Sequence, residues 1–279
     1  MTVPARPTPL FADIADVSRR LAETGYLPDT ATATAVFLAA GVGKTELARA
    51  VAQATGSGLV RLQCYEGVDE ARALYEWNHA KQILRIQAGS GDWEATKTDV
   101  FSEEFLLQRP LLTAIRRTEP TVLLIDETDK ADIEIEGLLL EVLSDFAVTV
   151  PELGTLTATR APFVLLTSNA TRELSEALKR RCLYLHIDFP TPELERRILL
   201  SRVPELPEHF AEELVRIIGV LRGMQLKKVP SIAETIDWGR TVLALGLDTI
   251  DDAVVAATLG VVLKHQSDQQ RATGELRLN

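Results

Sequence analysis

Cysteine is scarce in this chain of 279 residues, which carries only Cys64 and Cys182. Two thiols so far apart suit neither a disulfide framework nor a zinc site, so buried, reduced thiols are expected. Histidine is equally sparse, and His79, His186, His209 and His265 show no metal-ligand spacing. No stretch approaches the ~18 apolar residues of a membrane span, and Met1-Thr2-Val3-Pro4-Ala5-Arg6 lacks the continuous apolar run of a secretory signal. A cytoplasmic location without a membrane span is therefore expected. Positive charge is also short: 30 Lys and Arg stand against 40 Asp and Glu, a net charge of -10. That balance argues against a broad nucleic-acid footprint, which needs a clustered basic excess, although Lys179-Arg180-Arg181 forms one local basic patch. Neither internal repeats nor low-complexity segments occur.

What is present is an ordinary globular composition, 46% hydrophobic and 25% charged, with length for one large core and a smaller one. Its most informative segment runs from the apolar Ala35-Val36-Phe37-Leu38 into Gly41-Val42-Gly43-Lys44-Thr45-Glu46. Strand, glycine turn, lysine and hydroxyl in that order build a phosphate cradle. Backbone N–H groups at Gly41, Val42 and Gly43 turn onto the phosphates, Lys44 reaches their outer oxygens, and Thr45 offers a hydroxyl to Mg²⁺. The full pattern places a glycine where this chain has Leu38, so the loop looks about two residues short. A plain strand-to-helix glycine turn with an incidental lysine is the competing reading of this segment taken alone.

Downstream, Thr121-Val122-Leu123-Leu124-Ile125 is wholly apolar after its first residue and ends in Asp126-Glu127. It reads as a buried parallel strand delivering two carboxylates at its carboxyl end, the Walker B arrangement. Asp126 would hold the Mg²⁺ shell and Glu127 would polarise the attacking water. A core strand followed by an acidic turn is the bland alternative. A further strand, Phe163 to Ser168, ends in Asn169, where open α/β sheets place their ligands. Asn169 can orient the hydrolytic water or merely close a turn; the sequon reading of Asn169-Ala170-Thr171 would need a secreted chain.

Alternation of buried strands with amphipathic helices between about residues 30 and 190 predicts an α/β parallel sheet with helices on both faces. Its expected strands are 31–40, 58–64, 121–126, 162–168 and 183–188, with an insertion at about 65–101 and a helix from about Phe101 to Arg117. A helix after Asp132 and a hairpin across 148–157 are expected too. That hairpin could touch a substrate or pack on the sheet. Beyond Pro190 only helical periodicity appears, at about 192–202, 207–222, 231–245 and 250–264, and a polar tail follows. The organisation expected is a helical lead-in (1–25), a nucleotide-binding α/β domain (26–190), a small all-helical lid (191–265) and a tail (266–279).

The cradle, Asp126-Glu127, Asn169, the basic Ala177-Leu178-Lys179-Arg180-Arg181-Cys182 and the helical lid, in that order, resemble an AAA+ ATPase. Within that superfamily the chain resembles the MoxR family, specifically the CoxD-like group linked to carbon monoxide dehydrogenase maturation. Carrying the closer likeness are Leu62-Gln63-Cys64-Tyr65-Glu66-Gly67, Tyr75-Glu76-Trp77-Asn78, Leu123 through Asp132, and Leu178-Lys179-Arg180-Arg181-Cys182-Leu183-Tyr184. The likeness covers about residues 10 to 265.

The resemblance implies ATP and Mg²⁺ as cofactors, a ring that is usually a hexamer, and hydrolysis coupled to remodelling or maturing a client protein. It also implies a partner with a von Willebrand factor A domain. Residues 41–46 would bind nucleotide, Thr45 and Asp126 the metal, with Glu127 catalytic and Asn169 as sensor 1. Arg180 or Arg181 would serve as arginine finger in the next subunit's site; a solvated basic helix end is their alternative reading. Where relatives place the sensor 2 arginine this lid has Ser231 within Val229-Pro230-Ser231-Ile232, leaving Lys227, Lys228 or Arg222 as substitutes. With the short loop, that departure also motivates a second class of function, a nucleotide-gated or hydrolysis-deficient scaffold. A small-molecule kinase and a DNA remodeller fit the lid and the charge less well.

Overall fold

The computed structural model describes residues 14–24, 45–88, 99–169, 171–184, 189–247 and 249–276. Two of the expected strands, 31–40 and most of 183–188, lie outside the described residues, as do Gly41, Val42, Gly43 and Lys44. The chain forms two compact units, Met1–His186 and Ile187–Asn279.

In the first unit, β1 (Gly58–Gln63), β4 (Thr121–Asp126) and β7 (Phe163–Leu166) form a parallel sheet in the order β1-β4-β7. All six residues of β4 are buried, because both faces of the sheet are covered, and this explains why the strand reads as an unbroken apolar run. On one face Val122, Leu124 and Leu165 pack with Val17 and Leu21 of α1 (Ile14–Glu23) and Leu47, Ala48 and Val51 of α2 (Thr45–Thr55). On the other face Leu123, Ile125, Val164 and Leu166 meet Leu111, Leu112 and Ile115 and, beyond them, Ile135, Leu139 and Val142.

The insertion carries α3 (Glu70–Ala73), β2 (Tyr75–Trp77) and α4 (His79–Ala88). The helix expected from Phe101 to Arg117 is corrected: β3 (Leu106–Gln108) pairs antiparallel with β2, and only α5 (Pro110–Arg116) is α-helical. Pro110 has no N–H to continue an incoming helix and sits at the first turn of a new one. Next come α6 (Ile133–Asp145), capped by Asp132, and the hairpin of β5 (Ala147–Val150) and β6 (Gly154–Thr157), both at their expected places. Val148 and Val150 are buried in the core, so the hairpin packs on the unit. A short α7 (Glu176–Lys179) follows β7, its N-cap Ser175 accepting from the N–H of Leu178.

The second unit comprises α8 (Pro192–Arg202), α9 (Glu208–Gly223), α10 (Ile232–Ala244), α11 (Asp252–Val262) and α12 (Gln266–Glu275). Its core centres on Trp238, whose indole N–H donates to Thr258 at 2.8 Å. The polar tail expected after Gln266 is instead mostly helix. Ala272 is fully buried, and the Asp268 carboxylate accepts from the N–H groups of Lys227 and Lys228. Among the described residues no helix is long and apolar enough to cross a membrane.

Arg222, a sequence candidate for the sensor 2 role, is committed elsewhere. Its guanidinium donates to both oxygens of Glu195 at 2.5 and 2.8 Å, donates to the carbonyl of Pro230, and lies over the Phe189 ring. Glu195 is 1% exposed and also accepts from Thr235. Ser231 caps α10 in a capping box with Glu234, and Lys228 pairs with Glu234. Truncating Arg222 to alanine strands a buried carboxylate, so unfolding in urea should show a loss of about 3 to 5 kcal/mol. A loss below about 1 kcal/mol, the level of a surface pair, would contradict this account.

Candidate active site

The register that sets Gln63 beside Asp126 brings polar groups together at the carboxyl ends of β1, β4 and β7. Side chains alternate along a strand, so Arg61 and Gln63 share the face that Asp126 and Thr167 occupy. The Asp126 carboxylate, 4% exposed as a residue, takes the Thr167 hydroxyl on one oxygen at 2.5 Å. Its other oxygen takes Arg61 through Nε at 3.0 Å and Nη2 at 2.5 Å.

Glu127 follows with φ 55° and ψ 47°, a left-handed conformation that costs a non-glycine residue about 1 to 2 kcal/mol. Its N–H donates to the Thr167 hydroxyl at 2.8 Å. That conformation turns the carboxylate toward Gln63, whose amide donates to Oε2 at 3.1 Å, and toward Asn169, whose amide nitrogen stands 3.4 Å from Oε1. The side-chain amide of Gln63 in turn accepts from Arg61, so one guanidinium bonds Asp126 directly and reaches Glu127 through Gln63.

Asn169 is itself positioned from below. Asp129, 3% exposed, accepts from the Asn169 N–H at 3.1 Å and from the N–H and hydroxyl of Thr171 at 2.9 and 2.6 Å. Burial alone would raise the Asp129 pKa, but these donors outweigh it and hold the carboxyl below its ordinary 3.8. The Cys64 thiol beneath the site is pushed up to about 12, first by burial and then by the charges of Asp126, Asp129 and Glu127. Cys182 is also free, and burial raises it too.

The structure thus brings Asp126, Glu127 and Asn169 together. Of the cradle, only Thr45 and Glu46 fall in a described element, at the start of α2, and their side chains lie outside the description. Arg180 and Arg181 are exposed just past α7; Arg181 donates to the Ser144 hydroxyl, and neither guanidinium bonds a carbonyl of that turn. Roles missed by sequence reasoning belong to Arg61, Gln63, Thr167 and Asp129. Strand alternation beside the acidic pair signals the first two; nothing local signals the others. Chemically, the donor set is hard and oxygen-rich at a strand end, which suits a divalent cation held through one carboxylate and phosphate oxygens.

The family model described as AAA domain (dynein-related subfamily) matches residues 39–182. Among solved structures, a RuvB variant from Thermotoga maritima is similar at 19% identity and a TM-score of 0.45, over 79% of this chain and 59% of that one. A second variant of the same protein is similar at 15% identity and a TM-score of 0.46, over 98% and 74%. RuvB described as a Holliday junction branch migration motor is similar at 17% identity and a TM-score of 0.41, over 86% and 60%. The chain therefore spans 59% of the length of the first of these. Comparison with curated proteins gives no match.

Two outcomes test the site as built. Because glycine adopts the left-handed conformation freely, Glu127→Gly should unfold at higher urea than Glu127→Ala, by about 1 kcal/mol. Equal stabilities would refute the strained turn. The Asp129 carboxylate has a lowered folded pKa, so its stabilisation is complete above 3.8 and disappears as pH falls through the folded value. The melting-temperature gap between wild type and Asp129→Asn should accordingly narrow as the pH falls below 3.8 and on through the folded value; a gap independent of pH would contradict the assignment.

Proposed function

The chain belongs to the AAA domain family, in its dynein-related subfamily, and from that premise we propose that it is a MoxR-type ATPase. In this reading ATP hydrolysis drives remodelling or maturation of a client protein. The single observation that carries the hydrolytic part is the convergence of Asp126, Glu127 and Asn169 at the carboxyl edge of the sheet.

AAA+ domains generally bind ATP with Mg²⁺, and the oxygen donors at this edge fit that pair. Gly41, Val42, Gly43, Lys44, Thr45 and Glu46 would hold the nucleotide, and Thr45 with Asp126 the metal. Bound magnesium supplies charge neutralisation at the phosphates. Glu127 accepts a proton from water, and its carboxylate is oriented by the two amides that share its oxygens, Gln63 and Asn169. Arg61 keeps Asp126 in place and anchors Gln63. Thr167 fixes the backbone from which both carboxylates project.

Arg180 and Arg181, exposed at the end of α7, are suited to a neighbouring subunit's site, where an arginine finger contributes about 10³ to 10⁵ in rate in other nucleotide hydrolases. A hexameric ring, a von Willebrand factor A domain partner and a metalloenzyme client complete the reading by resemblance. The scaffold alternative draws on Leu38 in place of the first glycine and on the guanidinium already seated on Asp126.

Calorimetry with ATP and excess Mg²⁺ should give saturable heat that Lys44→Ala abolishes. Glu127→Gln should keep that heat while lowering turnover by about 10²-fold or more. Binding without turnover in the wild type would select the scaffold, and no heat at all would remove both readings.

A further inference from the structure

Two buried carboxylates seven residues apart bind Asn169, Thr171, Arg172 and Ser175, which lead from the strand end toward the exposed arginines. Asp129 takes the N–H groups of Asn169 and Thr171 together with the Thr171 hydroxyl. Glu136, on α6 and 2% exposed, takes the N–H of Ser175 at 2.9 Å and pairs with Arg172 at 2.5 Å. Arg172 also donates to the carbonyl of Ala131, which lies between the two acids in the chain. Ser175 caps α7, whose Leu178 is fully buried against the core, and the next turn exposes Arg180 and Arg181.

Burying carboxylates is costly unless each is paired and hydrogen-bonded. Here the partners drawn from outside the β4–α6 stretch, Asn169, Thr171, Arg172 and Ser175, all fall within residues 169–175. Asp129 stands three residues beyond Asp126 on the same chain, and Glu136 lies one helical turn into α6. The strand end is thereby tied to the link at two points.

We propose that Asp129 and Glu136 are positioning residues that join Asn169 rigidly to Arg180 and Arg181, so that the arginines a subunit offers its neighbour move with its own sensor segment. The proposal rests on the ATPase ring reading for the site that receives those arginines. Glu136 acts on the outgoing half of the link, since it touches Arg172 and Ser175 and not Asn169; Asp129 acts on the incoming half.

The test uses the full chain. Without nucleotide, Glu136→Gln should raise hydrogen exchange in residues 171–184 about tenfold, the worth of a hydrogen bond to a charged group, and leave β4 unchanged. Arg172→Met removes the same pair from its more exposed side and should reproduce the effect if the first variant folds poorly. In mixed rings, subunits carrying Glu127→Gln and Glu136→Gln together are blended equally with wild type and compared with subunits carrying Glu127→Gln alone. If Glu136 positions the arginines in trans, the double variant should remove about half of the remaining turnover, because about half of the wild-type sites then lack a placed finger.

Equal suppression by both blends would overturn the coupling, even with exchange raised, because a purely structural role stays within the variant subunit. Unchanged exchange would overturn the clamp itself. Failure of the ATPase reading appears separately, as absent turnover in undoped wild-type protein, and the exchange measurement then still decides the clamp.

Discussion

One hydroxyl holds the chemistry of this molecule in register. Thr167 donates to Asp126 and accepts from the N–H of Glu127, so a group on the third strand fixes both carboxylates presented by the second. Removing it takes a donor from a buried carboxylate and an acceptor from the N–H of a residue held in a left-handed turn. Everything else at the site, including the amides of Gln63 and Asn169 around the Glu127 oxygens, depends on that turn being where it is.

The same economy appears in how charge is buried. Asp126, Asp129, Glu136 and Glu195 are each under 5% exposed, and each receives at least two donors or a guanidinium. Buried carboxylates supplied in this way favour one arrangement strongly, because any slip of the backbone leaves a charge without partners. The first three lie on the segment from β4 into α6, so the buried carboxylates described in the first unit all stand on this one stretch. In the second unit the pair of Glu195 and Arg222 ties α8 to α9 and to the approach of α10.

Much of this was legible in the sequence because it is written in local pattern. The apolar run of β4, the alternation of the hairpin and the periodicity of the helices from Pro192 to Val262 each specify an element without help from afar. The strand Leu106–Gln108 was not legible, since three residues gain their extended form only by pairing with Tyr75–Trp77 across the insertion. The helix after Gln266 was also hidden: its sequence is polar, and it is held by Ala272 in the core and by Asp268 capping backbone from about forty residues earlier. At the site, Asp126, Glu127 and Asn169 announce themselves by standing at strand ends. Thr167, Asp129 and Glu136 look like ordinary polar residues until folding brings them against partners that no spacing rule connects.

Cys64 lies beneath this acidic edge, its N–H bonded to the Asp126 carbonyl. With its thiol pushed up to about 12, the reactive anion amounts to about one part in 10⁵ at neutral pH. Peroxide, disulfide exchange and electrophilic metabolites all need that anion. Burial first, and the neighbouring acids after it, thus keep this thiol in its unreactive protonated form beside the candidate catalytic carboxylates.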